Sequence, residues 1–197
     1  YPGAQGGRAV ANVLFGEVSP QGHLPVTFYR TTEELPEFTD YSMKGRTYRY
    51  MTQESLYPFG YGLTYTSFEY SDMKCTYTKE ALEDILAGKN ADIRVSLHIK
   101  NTGEYDCTDT VQVYVKAQKA DSPNPQLKGI ANVFLRAGEE TDTEIVLKAD
   151  AFELYDENGE TYVYPGAYTI YAGGSQPDRR SEELLGVKPL KEEIVFN

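Results

Sequence analysis

Few residue types in this 197-residue chain could do chemistry. It has two histidines, His23 and His98, and two cysteines, Cys75 and Cys107. Neither histidine has a cysteine or second histidine at metal-ligand spacing, nor a nucleophile in a known motif. The widely separated cysteines read as free thiols, with one bridge between neighbouring strands as the alternative. Carboxylates are abundant, and two facing ones could run acid–base chemistry. Glu33-Glu34, Glu139-Glu140 and Glu182-Glu183, however, read as solvated charge runs. In "YDENGET", Asp156, Asn158 and Glu160 give part of a calcium-ligand series without its distal glutamate, so a hairpin explains the segment better. "GAQGGRA" could cradle an anion on backbone N–H groups, but it lacks the lysine and hydroxyl of a phosphate loop and reads as a tightly packed helix start. No catalytic residue, metal site or cofactor is predicted. "GRTYRYM" leaves three candidate substrate-binding residues, Arg46, Tyr48 and Arg49. Guanidinium groups beside rings can hold sugar hydroxyls or pin a loop by stacking, and loop pinning is the favoured reading.

These residues need elements to position them. Val10, Val13 and Leu14 at i, i+3 and i+4 predict a helix over residues 4–15, closed by Gly16. "SPQG" is a turn, and "HLPVTFYR" reads as a strand or extended piece. Residues 31–55 carry turn formers and charges with little periodicity, as a surface excursion does. In "LYPFGYGLTYTSFEYS", Tyr57, Phe59, Tyr61, Leu63 and Tyr65 alternate with small residues and Pro58. Period two marks an extended backbone, with rings on one face and a nearly bare second face that another layer can approach. It reads as a connector clamped between two bodies.

Beyond it the pattern is strand after strand. Ile93, Val95, Leu97 and Ile99 alternate with Arg94, Ser96, His98 and Lys100, which puts His98 on a polar face. Val111, Val113 and Val115 continue the theme, and Asn158-Gly159 signals a hairpin. "KEALEDILAG" is a helical insert ending at Gly88, and "EEIVF" a final edge strand. The fold class expected is mainly β: an immunoglobulin-like antiparallel β-sandwich preceded by a partial α/β segment and an extended aromatic connector. The divisions are 1–55, 56–70 and 71–197. One helix and one or two strands in residues 1–66 cannot cover each other, so they must pack on the sandwich or complete a larger domain.

A net charge of −11 argues against nucleic acid or anionic lipid as a partner. No apolar run reaches the ~20 residues that span a membrane. The chain opens on Tyr1 with neither a signal peptide nor an initiator methionine, so a processed product, internal fragment or truncated piece is expected and the compartment stays unread.

"YPGAQGGRAVANVLFGEVSPQGHLPVTFY", "GRTYRYM" and "LYPFGYGLTYTSFEYS", in that order, resemble the end of the second domain of family 3 glycoside hydrolases, the β-glucosidases and β-xylosidases. "VSLHIKNTGEYDCTDTVQVYVKA", "LKGIANVFLRAGEE" and "YPGAYTIYAGGSQPD" resemble the fibronectin type III-like domain that follows in many members. The resemblance implies a C-terminal piece of a retaining β-glycosidase. Its catalytic pair, an aspartate of a barrel domain and usually a glutamate of the α/β domain, has no matching position in this chain. The implied partners are the missing barrel and α/β domains, with an oligosaccharide or β-glycoside as the parent's substrate. The implied role is scaffolding. A carbohydrate- or cell-wall-binding module is the first alternative, weakened by the absence of tryptophan. An enzyme completed by a barrel placed after residue 197 is the second.

Overall fold

The computed structural model describes residues 3–197; Tyr1 and Pro2 of the opening block lie outside the described residues. The elements are α1 (Gly6–Leu14), α2 (Thr47–Tyr50), β1 (Phe68–Thr76), α3 (Lys79–Leu86), β2 (Asp92–Asn101), β3 (Cys107–Ala117), β4 (Gln126–Leu135), β5 (Glu140–Lys148), β6 (Glu153–Tyr155), β7 (Thr161–Val163), β8 (Ala167–Gly173), α4 (Arg179–Leu185) and β9 (Leu190–Val195). Two antiparallel sheets, β1-β2-β5 and β4-β3-β8-β9, form the sandwich, and β6–β7 is a separate hairpin. The molecule is mainly β, as the alternation predicts.

Period-two alternation builds the core. Ile93, Val95, Leu97 and Ile99 of β2 meet Val111, Val113 and Val115 of β3, with Ile145, Leu147, Ile170 and Phe196 closing the space. Tyr168 is buried there with its hydroxyl satisfied, donating to the Phe152 carbonyl at 3.0 Å and accepting from the Tyr164 N–H at 2.8 Å. Burial pushes its phenol up to about 12. On the opposite face of β2, Arg94 pairs with Glu144 and Lys100 with Glu140, both on β5. Exposed pairs of this kind add little to stability, but they favour one cross-strand register.

Helix ends follow side-chain chemistry. Thr78 caps α3 by accepting from the Ala81 N–H at 3.1 Å, and Gly88 turns left-handed just past its end. Asp178 caps α4 in the same way, from the Ser181 N–H at 2.7 Å. The sequence reading did not anticipate α4.

The structure sharpens two other readings and shifts one boundary. "HLPVTFYR" takes the extended of its two expected forms rather than the strand, touching the connector through isolated bridges at His23–Gly62 and Phe28–Tyr57. Pro25 and Pro58 lack the N–H groups a longer ladder needs. The first sandwich strand begins at Phe68, inside the stretch read as connector. The hairpin signalled by Asn158-Gly159 forms between β6 and β7 with a loop over residues 156–160, in which Asp156 Oδ1 accepts from the N–H groups of Asn158 at 2.8 Å and Glu160 at 2.9 Å.

Candidate functional site: the junction of connector and sandwich

β3 is buried on both faces from Val111 to Val115. Its valines face the core, while Gln112 and Tyr114 face outward into the connector. The Gln112 carboxamide is fully used: Nε2 donates to the carbonyls of Gly60 and Gly174, each at 2.9 Å, and Oε1 accepts from the Tyr114 hydroxyl at 2.6 Å. Gly60 is left-handed, at φ +77°, and a side chain there would run into Gln112 and Tyr114. This close approach explains why the bare face of the connector is bare.

Its ringed face is organised by stacking. Phe59 lies parallel to Tyr48 at 4.2 Å, and Tyr48 meets Tyr114 edge-on at 6.4 Å. Tyr57 stacks on Tyr61 at 5.7 Å. The Phe59 carbonyl accepts from the Gln176 N–H at 3.2 Å and the Ser175 hydroxyl at 3.3 Å. At its far end, Thr66 donates to Asn101 Oδ1, and the Asn101 amide donates to the Tyr105 and Leu135 carbonyls.

Two clefts flank this clamp. The first, about 480 Å³, has Asp109, Tyr70, Glu69 and His23 in its walls. The Tyr70 hydroxyl donates to Asp109 Oδ2 at 2.6 Å. Burial pushes the Asp109 carboxyl up, with Tyr70 and His23 opposing. Burial also holds the Tyr70 phenol well above its usual range, and Asp109 adds to that rise. Burial lowers His23, against the pull of Asp109. The second cleft, about 330 Å³, lies between residues 51–55 and 176–180, with Tyr48, Lys116 and Tyr171 in its walls.

Each cleft contains two carboxylates, and most are committed to structural partners. Asp178 caps α4. Glu54 bonds Arg30 at 2.7 Å and lies 3.7 Å from Arg179. Asp109 is held by Tyr70, whereas Glu69 is exposed on β1. His98 sits outside both clefts, bonded to Asp142 at 2.8 Å, which raises its pKa. The cysteines are free and buried, and burial pushes the Cys75 thiol up to about 12. No group of histidine, cysteine and carboxylate residues among those described is placed to hold a metal ion. No described helix is long and apolar enough to cross a membrane.

The structure separates the three sequence candidates. Arg46 folds back on its own loop, with Nε donating to the Ser42 carbonyl at 2.8 Å and a second nitrogen donating to the Asp40 carbonyl. Arg49 is held through its backbone carbonyl, which accepts from the Asn124 N–H at 2.8 Å. Neither lines a cleft. Tyr48 does line the second, with its hydroxyl accepting from the Leu127 N–H at 3.2 Å. Sequence reasoning missed Gln112, Asn101, Asp109 and Gln176. The one local signal for Gln112 was a tyrosine two residues along on the supposedly solvated face.

Residues 1–65 match the glycosyl hydrolase family 3 C-terminal domain, and residues 109–176 match the fibronectin type III-like domain. The xylan 1,4-beta-xylosidase of Xylanibacter ruminicola is 40% identical over 186 residues, covering 93% of this chain and 20% of that protein. The thermostable beta-glucosidase B of Acetivibrio thermocellus is 36% identical over 204 residues, covering 95% of this chain and 26% of the relative. A crystal structure of a GH3 beta-glucosidase from Bifidobacterium adolescentis superposes with a TM-score of 0.76 at 28% identity, over 97% of this chain and 28% of that one. The chain thus spans only about a fifth to a quarter of the length of the curated relatives it matches.

Proposed function

The chain belongs to glycosyl hydrolase family 3, and on that premise we propose that it is the non-catalytic C-terminal part of a retaining β-glycosidase. In this reading it divides into a partial α/β segment over 1–55, a connector from residue 56 that runs into the first sandwich strand at Phe68, and the sandwich over the remainder. The sandwich grips the connector, and the connector holds the α/β segment in place for the rest of the enzyme. The parent hydrolyses terminal β-linked sugars with two carboxyl groups about 5 Å apart, supplied outside this chain.

One observation carries this reading. Fifteen of the twenty-two exposed large apolar side chains among the described residues lie between residues 10 and 65. Leu14 is 73% exposed, Phe15 83%, Phe38 91% and Tyr41 87%. Helix α1 buries only Gly6. Apolar surface on that scale marks a protein–protein contact, whereas the sandwich encloses its own core.

The test is turnover. The isolated chain is expected to hydrolyse no nitrophenyl β-glucoside or β-xyloside, while the intact polypeptide hydrolyses at least one. A reproducible rate from the pure chain, lost on replacing one of its own carboxylates, would overturn the reading.

A further inference from the structure

The second cleft holds polar groups that the fold does not use. Gln176 is 7% exposed, yet its carboxamide makes no hydrogen bond to any described residue; only its backbone does. Lys116, half-buried on β3, has no hydrogen-bond or ion-pair partner among the described residues, and the Tyr171 hydroxyl has none either. The Ser55 hydroxyl, in the same wall, is buried without a partner. The Thr27 hydroxyl, in that wall too, is likewise buried without a partner. Native proteins satisfy buried polar groups with few exceptions, so two orphaned hydroxyls beside an unengaged amide, ammonium and phenol point to a ligand.

The chemistry of the wall restricts what that ligand is. Cationic Lys116, Arg179 and Arg180 stand against anionic Glu54 and Asp178, so the wall has no dominant charge for an ion to exploit. The Arg179 and Arg180 guanidinium groups are already occupied by Glu183, at 2.9 and 3.4 Å. What remains is an amide, an ammonium and a phenol beside the rings of Tyr48 and Tyr171. Apolar ring faces with a few convergent hydrogen-bonding groups are the recognition chemistry of a hydroxyl-rich neutral ring. At about 330 Å³ the volume lies at the small end of ligand cavities, suiting a sugar unit rather than a long glycan.

We propose that the cleft between residues 51–55 and 176–180 binds one unit of a neutral saccharide. Gln176, Lys116 and the Tyr171 hydroxyl supply its hydrogen bonds, and Tyr48 and Tyr171 supply ring contact. This site is argued independently of the scaffold role. It gives Tyr48 a place in sugar contact and assigns none to Arg46 or Arg49.

The test uses the intact polypeptide, with its hydrolytic site blocked by a 2-deoxy-2-fluoro glycoside of a good leaving group. Titration calorimetry with cellobiose and xylobiose then reads the remaining binding. At least one disaccharide is expected to bind, and Gln176→Ala, Lys116→Ala and Tyr171→Phe are each expected to weaken it about tenfold or more, the loss of one good hydrogen bond. Gln176 bonds nothing through its side chain, so its variant should keep the wild-type melting temperature, and a lost affinity then reports on the cleft rather than on unfolding. Absence of binding by the blocked enzyme, or binding that all three variants leave unchanged, overturns the proposal. Either result leaves the turnover test above intact, so the two readings fail separately.

Discussion

His23 and His98 have opposite environments, and a pH series can separate them. Burial lowers the folded pKa of His23, so its contribution to stability is present above the unfolded value near 6.5 and lost as pH falls toward the folded value. The bond from Asp142 raises that of His98, so its contribution is present below about 6.5 and lost as pH rises through the folded value. Between about pH 7.5 and pH 5.5, where imidazoles titrate, His23→Gln should gain stability relative to wild type on acidification. His98→Gln should lose it. Urea midpoints of the two variants against wild type check this, and slopes of the same sign would contradict one of the two environments, the sign itself saying which. The place of His98 was legible because alternation with Ile93, Val95, Leu97 and Ile99 fixes which face it shares. That of His23 was not, since its burial comes from Gly62 and Asp109, far along the chain.

At the scale of elements, the connector is held by β3 rather than by its own propensity. Gln112→Ala leaves the carbonyls of Gly60 and Gly174 and the Tyr114 hydroxyl without their partner. Each buried orphan costs about 1–3 kcal/mol, so a total loss of about 2–4 kcal/mol is expected after local relaxation. Urea unfolding gives the magnitude. Hydrogen exchange locates it, with residues 57–62 losing protection first and β2 keeping its own. Sequence alternation revealed the connector's two unlike faces, because glycines among rings are a local signal. It did not reveal what met the bare face, because Gln112 occupies a position that alternation assigns to solvent. Helix α4 escaped notice for a different reason. Seven residues are too few to show helical periodicity, although Asp178 and Gly186 mark both its ends.

At the scale of the molecule, the two parts balance burial differently. The sandwich places Ile93, Val111, Leu147 and Ile170 wholly out of water, whereas the α/β segment leaves Leu14, Phe15, Phe38 and Tyr41 in it. The first pattern is that of a body that folds by itself, and the second that of a body completed by more protein. Hydrogen exchange compared between the isolated chain, as a monomer, and the intact polypeptide tests this most directly. Amides of residues 92–173 should be equally protected in both, and those of α1 and residues 23–50 should be protected only in the intact polypeptide. Equal protection of α1 and residues 23–50 in the two samples would contradict the account.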